Sequence, residues 1–165
     1  MFHPDTLKLA EAVLAVCRSR NWYVATAESC TGGLVAAALT AIPGASEVVD
    51  RGFVTYSNKA KIELLGVPQE TIAAHGAISA ETAAAMARGA VVRAGVDLSV
   101  SVTGIAGPGG STPEKPLGLV YLGVARKGGA ARVERRIFSG DRAAVRHAAL
   151  GLALELLLAE AGAAI

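Results

Sequence analysis

The sequence is poor in aromatic residues, cysteine and side-chain amides, and most of these shortages remove a class of function. Aromatics make up 4% of the chain, and no Lys/Arg run exceeds two residues. A stacking platform beside a basic track, the usual equipment for holding nucleic acid, is therefore missing. The formal charge is +2, from 16 basic and 14 acidic residues, so the pI of about 8.7 reflects a small excess and not a polycation. Cys17 and Cys30 are too few for a disulfide framework, and no Cys/His pair has zinc spacing. Asn21, Asn58 and Gln69 are the only side-chain amides, and arginine exceeds lysine. That bias fits a thermophile or a GC-rich genome equally well. Long uncharged runs are absent too. Ala148 to Ile165 carries Glu155 and Glu160, whereas a spanning helix needs about 20 nearly uncharged residues. Met1-Phe2-His3-Pro4-Asp5 lacks the basic and apolar regions of a signal peptide. The expectation is a cytoplasmic protein with no nucleic-acid or membrane partner.

What is present suits a folded enzyme-sized unit. Hydrophobic residues reach 52% and charged residues 18% of 165, which fits one domain over 1–165 that buries about 70% of its unfolded surface. Leu7, Ala10, Val13, Leu14 and Cys17 recur at helical spacing behind Pro4. Tyr23–Ala27 reads as a strand, Leu34–Ile42 as a helix, and Gly52–Tyr56 as a second strand. Asn58 is placed to cap a helix ending at Gly66, and a shorter helical piece follows over Gln69–Ala74. A long helix begins at Ser79 with Ala83, Met86, Ala87, Ala90 and Val91 inward. Leu98–Val102 has the unbroken apolarity of a strand covered on both faces. Leu117–Ala125 and Val133–Phe138 form a hairpin around Lys127-Gly128-Gly129, and Asp141 opens a last helix. The fold class expected is α/β, a three-layer α/β/α sandwich around a mixed, mostly parallel sheet.

In such sheets ligands sit beyond the carboxyl ends of strands, and three strand ends here carry unusual chemistry. The first is Glu28-Ser29-Cys30-Thr31-Gly32-Gly33. A hydroxyl between strand and helix lies among unpaired N–H groups, so Ser29 or Thr31 could act as a nucleophile beside an oxyanion hole. Helix capping is the bland alternative for both hydroxyls. The second is Tyr56-Ser57-Asn58-Lys59-Ala60-Lys61, where a desolvated Lys61 could serve as a base and a solvated one would not. The third is Thr103 to Gly110, whose glycines permit close backbone approach. It matches neither a P-loop nor a dinucleotide fingerprint. His3, His75 and His147 occupy no strand end, which argues against a Ser-His-Asp triad. Cys30 is a rival nucleophile, and Arg142 with Arg146 could hold a phosphate from one helix face.

These segments, together with Gly76-Ala77-Ile78-Ser79, resemble the CinA C-terminal domain family. The likeness spans about Thr6 to Glu160, and Ile78 stands where that motif often has Val. The family's enzymatic members are nicotinamide-nucleotide amidases, so the resemblance implies hydrolysis of nicotinamide mononucleotide to nicotinate mononucleotide and ammonia. It implies Ser29 as nucleophile, with Tyr56 and Lys61 activating it and shuttling its proton. Substrate contacts are expected from Cys30, Thr31, Gly32, Gly33, Asn58, Thr103, Gly104, Gly107, Gly109 and Arg142. The backbone N–H groups of Cys30 to Gly33 are expected to face the oxyanion. No metal and no cofactor are needed. The resemblance further implies a stand-alone amidase, a role in pyridine-nucleotide salvage and a homo-oligomer. A non-catalytic nucleotide-binding or competence-associated domain is the alternative reading, and an amidase for another carboxamide is a third.

Overall fold

The computed structural model describes residues 2–163. The chain runs α1 (Pro4–Ser19), β1 (Val24–Glu28), α2 (Leu34–Thr40), a 3-10 turn (Ala45–Glu47), β2 (Val49–Val54), α3 (Asn58–Leu65) and α4 (Gln69–His75). It continues with α5 (Ala80–Ala94), β3 (Leu98–Gly104), β4 (Leu119–Arg126), β5 (Arg132–Ile137) and α6 (Arg142–Gly162). The strands pair in the order β2-β1-β3-β4-β5. β1 is parallel to both β2 and β3, while β4 is antiparallel to β3 and to β5. Four of the five described strands therefore point the same way, as the mixed and mostly parallel expectation has it.

Strand β3 shows why there are three layers. Leu98, Val100 and Val102 enter a core with α1, α2 and α6. Ser99, Ser101 and Thr103 point to the other face and are also buried. Their hydroxyls are satisfied by helix and loop carbonyls: Ser99 Oγ donates to Ala87 O at 2.7 Å, and Ser101 Oγ to Ala83 O at 2.6 Å. Such short bonds need a close helix, which Ala83, Ala87 and Gly123 permit. A Cβ on Gly123 would lie 2.6 Å from Ala83 O. The alanine face of α5 is thus filled by the chain's own sheet. No described helix is long and apolar enough to cross a membrane.

Most element ends fall within two residues of the sequence reading, and two differences beside the site have a definite cause. The strand expected at Gly52–Tyr56 is β2, at Val49–Val54, because the unforeseen 3-10 turn at Ala45–Glu47 delivers the chain to the sheet earlier. Asp50 and Arg51 are accommodated because β2 is an edge strand, where charge is tolerated. The cap expected at Asn58 belongs to Ser57, whose Oγ accepts from Ala60 N at 3.0 Å.

Candidate active site

Because β1, β2 and β3 are parallel and adjacent, their carboxyl ends meet at one sheet edge, with β1 in the middle. A cleft of about 250 Å³ opens there. The first strand end brings Ser29 and Cys30 to its wall, and the second brings Tyr56, Asn58 and Lys61. Thr103, Gly104, Gly107 and Gly109 come from the third, and Arg142 from α6.

Lys61 lies one turn inside α3 and is 1% exposed. Its Nζ donates to Thr55 O at 2.8 Å, to Ser29 Oγ at 3.2 Å and to Tyr56 O at 3.5 Å. No carboxylate lies within ion-pair distance among the described residues, and desolvation by burial lowers the pKa of its ammonium from the ordinary 10.5. The three partners fit the neutral amine well. Two N–H bonds go to the two carbonyls, and the lone pair is left facing the Ser29 hydroxyl, which then donates to it. Ser29 thereby has a base within hydrogen-bond reach.

The rival nucleophiles lack this. Thr31 Oγ1 is buried without a hydrogen-bond partner among the described residues. Burial pushes the Cys30 thiol up to about 11, which keeps it protonated at neutral pH.

The donor set for an oxyanion is narrower than Cys30 to Gly33. Gly32 N donates to Ser29 O at 3.0 Å, and Gly33 N donates to Glu28 Oε2 at 3.0 Å. Glu28 is 1% exposed and also accepts from Val35 N, Ala36 N and Thr26 Oγ1. Its carboxylate thus closes the positive end of α2 from within. Gly32 and Gly33, with φ of +59° and +99°, shape the turn, and neither they nor Thr31 line the cleft. The N–H groups of Cys30 and Thr31 remain without a partner in any other described residue.

Tyr56 is expected to assist Ser29, and the structure places its side chain toward Arg142. Its phenol accepts from Arg142 Nη2 at 3.1 Å, and only its backbone carbonyl approaches Lys61. Arg142 Nη1 also donates to Gly107 O at 2.8 Å, tying the glycine loop to the same corner. Arg146 does not hold a free anion site with Arg142, since its guanidinium donates to Cys30 O and Thr31 O. Of the other wall residues, Ile105, Ala106 and Gly110 belong to the Thr103–Gly110 segment named from sequence, whereas Ala77 and Ile78 were not named as contacts. The Gly76–Ser79 segment was the available signal, because Thr103 Oγ1 donates to Ala77 O at 2.8 Å and holds it over the cleft. Among the described residues, no three His, Cys, Asp or Glu side chains gather as metal ligands.

The CinA C-terminal domain model matches residues 6–161 of the chain. Nicotinamide-nucleotide amidohydrolase PncC of Enterobacter agglomerans is 48% identical over 153 residues, covering 93% of each chain. A putative competence-damage inducible protein of Caldicellulosiruptor bescii is 49% identical over 153 residues, but the chain spans only 37% of that relative's length. The crystal structure of the competence/damage inducible protein CihA from Agrobacterium tumefaciens has a TM-score of 0.93 at 47% identity, covering 96% of this chain and 97% of that one.

Proposed function

The chain belongs to the CinA C-terminal domain family, and from that premise we propose that it is an amidohydrolase converting nicotinamide mononucleotide to nicotinate mononucleotide and ammonia. The observation that carries the reading is the buried Lys61 Nζ set 3.2 Å from Ser29 Oγ, with no carboxylate among the described residues to hold it charged. The name and coverage of the Enterobacter agglomerans relative support the substrate.

In this mechanism neutral Lys61 takes the Ser29 proton as Oγ attacks the carboxamide carbon. The carbonyl oxygen becomes an oxyanion against the Cys30 N–H at the cleft wall and the Thr31 N–H one peptide behind it, an oxyanion donor being worth roughly 3–4 kcal/mol. Collapse breaks the C–N bond, and the Lys61 ammonium gives its proton to the departing nitrogen, which leaves as ammonia. Water then attacks the acyl-serine, Lys61 takes one of its protons and returns it to Ser29 Oγ, and the nicotinate product leaves. Lys61 is the direct base, while Tyr56, through its phenol, positions Arg142 at the mouth of the cleft. Arg142 and the Thr103–Gly110 loop contact the nucleotide. The reaction belongs to pyridine-nucleotide salvage.

The test is ammonia release from nicotinamide mononucleotide, nicotinamide riboside and nicotinamide, with the acid product identified by chromatography. The nucleotide is expected to give the highest kcat/KM. Equal use of all three would overturn the nucleotide assignment, and binding without ammonia release would make the domain a nucleotide-binding module.

A further inference from the structure

The turn that carries Ser29 is pinned from the far helix. Arg146, half-buried on α6, donates from Nε to Cys30 O at 3.1 Å and from Nη2 to Thr31 O at 2.9 Å. The same guanidinium lies against Gly32, where a Cβ would be 3.6 Å from Nη2. In a trans peptide the C=O and the following N–H lie in one plane and point in opposite directions. A fork that draws the Cys30 carbonyl toward α6 therefore turns the Thr31 N–H to the opposite side of the turn. Fixing the Thr31 carbonyl as well leaves that stretch of backbone no freedom to rotate. A charged donor on a carbonyl also polarises its peptide and strengthens the N–H of the same unit.

We propose that Arg146 is a positioning residue for the amidase reaction: its hold on the Cys30 carbonyl orients and polarises the Thr31 N–H, one of the two groups that receive the oxyanion, and its hold on the Thr31 carbonyl fixes the turn that carries it. The inference rests on the Ser29 reading given above, and it assigns Arg146 no contact with substrate. Arginine is required because lysine is a point charge that cannot hold two carbonyls in a fixed plane.

The experiment compares wild type with Arg146→Gln and Arg146→Lys by two readouts, steady-state kinetics on nicotinamide mononucleotide and the rate of Ser29 labelling by a fluorophosphonate. The labelled fraction counts the competent sites, and thermal melting reports the fold. Arg146→Gln should lower both kcat per competent site and labelling rate by about 10–100-fold, below the loss of a whole oxyanion donor, with KM near the wild-type value. Arg146→Lys should fall between and serves as the test if the glutamine variant unfolds. Unchanged kcat and labelling would overturn the proposal. So would a raised KM at constant kcat, which marks substrate binding, or a loss accounted for by fewer competent sites alone. If wild type labels at Ser29 but releases no ammonia from any carboxamide, the amidase reading fails and the labelling rates alone decide the role of Arg146. Wild type that does not label at Ser29 overturns both.

Discussion

Glu28→Gln should destabilise the protein by about 2–3 kcal/mol, an amount that can be worked from the bonds of one side chain. Oε2 accepts from Gly33 N at 3.0 Å and Val35 N at 3.1 Å; Oε1 accepts from Ala36 N at 2.9 Å and Thr26 Oγ1 at 3.0 Å. A glutamine keeps one oxygen, best placed on the Gly33 and Val35 side. Its NH2 then faces Ala36 N–H, two donors nose to nose, while the Thr26 hydroxyl rotates to accept. One buried N–H without an acceptor costs about 1–3 kcal/mol. Removing the negative charge from the α2 amino end costs a further 0.3–1 kcal/mol, up to about 2 in a buried geometry. Relief of the carboxylate's own desolvation offsets part of the sum. Urea unfolding followed by circular dichroism measures the difference, and the melting temperature should drop by about 4–12 °C at this chain length. A change below about 0.5 kcal/mol, the size of an ordinary surface substitution, would refute the idea that Glu28 closes the helix end.

Lys61 predicts a pH dependence with a definite sign. The neutral amine is the active form, so kcat/KM should rise with pH to a plateau whose midpoint lies below 10.5, and Lys61→Arg, permanently charged, should abolish the limb. The unfolded chain titrates this group at its ordinary value, so between the two pKa values the unfolded state binds more protons and stability rises with pH; the slope should flatten in Lys61→Met. Tyr56→Phe removes the bond to Arg142 but not the carbonyl that holds Lys61, and should raise KM while leaving kcat nearly unchanged; a fall in kcat alone would restore a proton-shuttling role. Gly89→Ala places a Cβ 2.0 Å from Leu65 O, forcing α5 from α3, and should cost about 1–3 kcal/mol in urea unfolding. Because α3 carries Lys61, its kcat should fall as well.

The convergence of three strand ends was legible because it follows from parallel strands, and parallel strands follow from apolar runs alternating with helices. Lys61 was legible as a residue one turn into a capped helix, although the cap itself is Ser57. Other features depend on contacts across long sequence distances. Glu28 looks like the end of a strand, and only the left-handed Gly32 and Gly33 fold the α2 amino end back onto it. That engagement takes the Gly33 N–H, and the turn itself takes the Gly32 N–H to Ser29 O, so two of the four N–H groups expected to face an oxyanion are occupied. Arg146 and Arg142 reach the site from more than 80 residues beyond Ser29 and Tyr56; their common helix face marked both as phosphate candidates, but only the fold shows that the Cys30 and Thr31 carbonyls occupy Arg146. The displaced start of β2 has a local cause, a 3-10 turn whose Ala45-Ser46-Glu47 lacks helical periodicity.

The central claim is that Ser29 forms a covalent acyl intermediate with Lys61 as its base. Acid-quenched wild type turning over nicotinamide mononucleotide should carry an acyl adduct that peptide mapping places on Ser29, and Ser29→Ala should lose the adduct together with at least about 10³-fold in kcat. Hydrolysis by Ser29→Ala at a rate close to wild type, with or without an adduct elsewhere, would contradict the account.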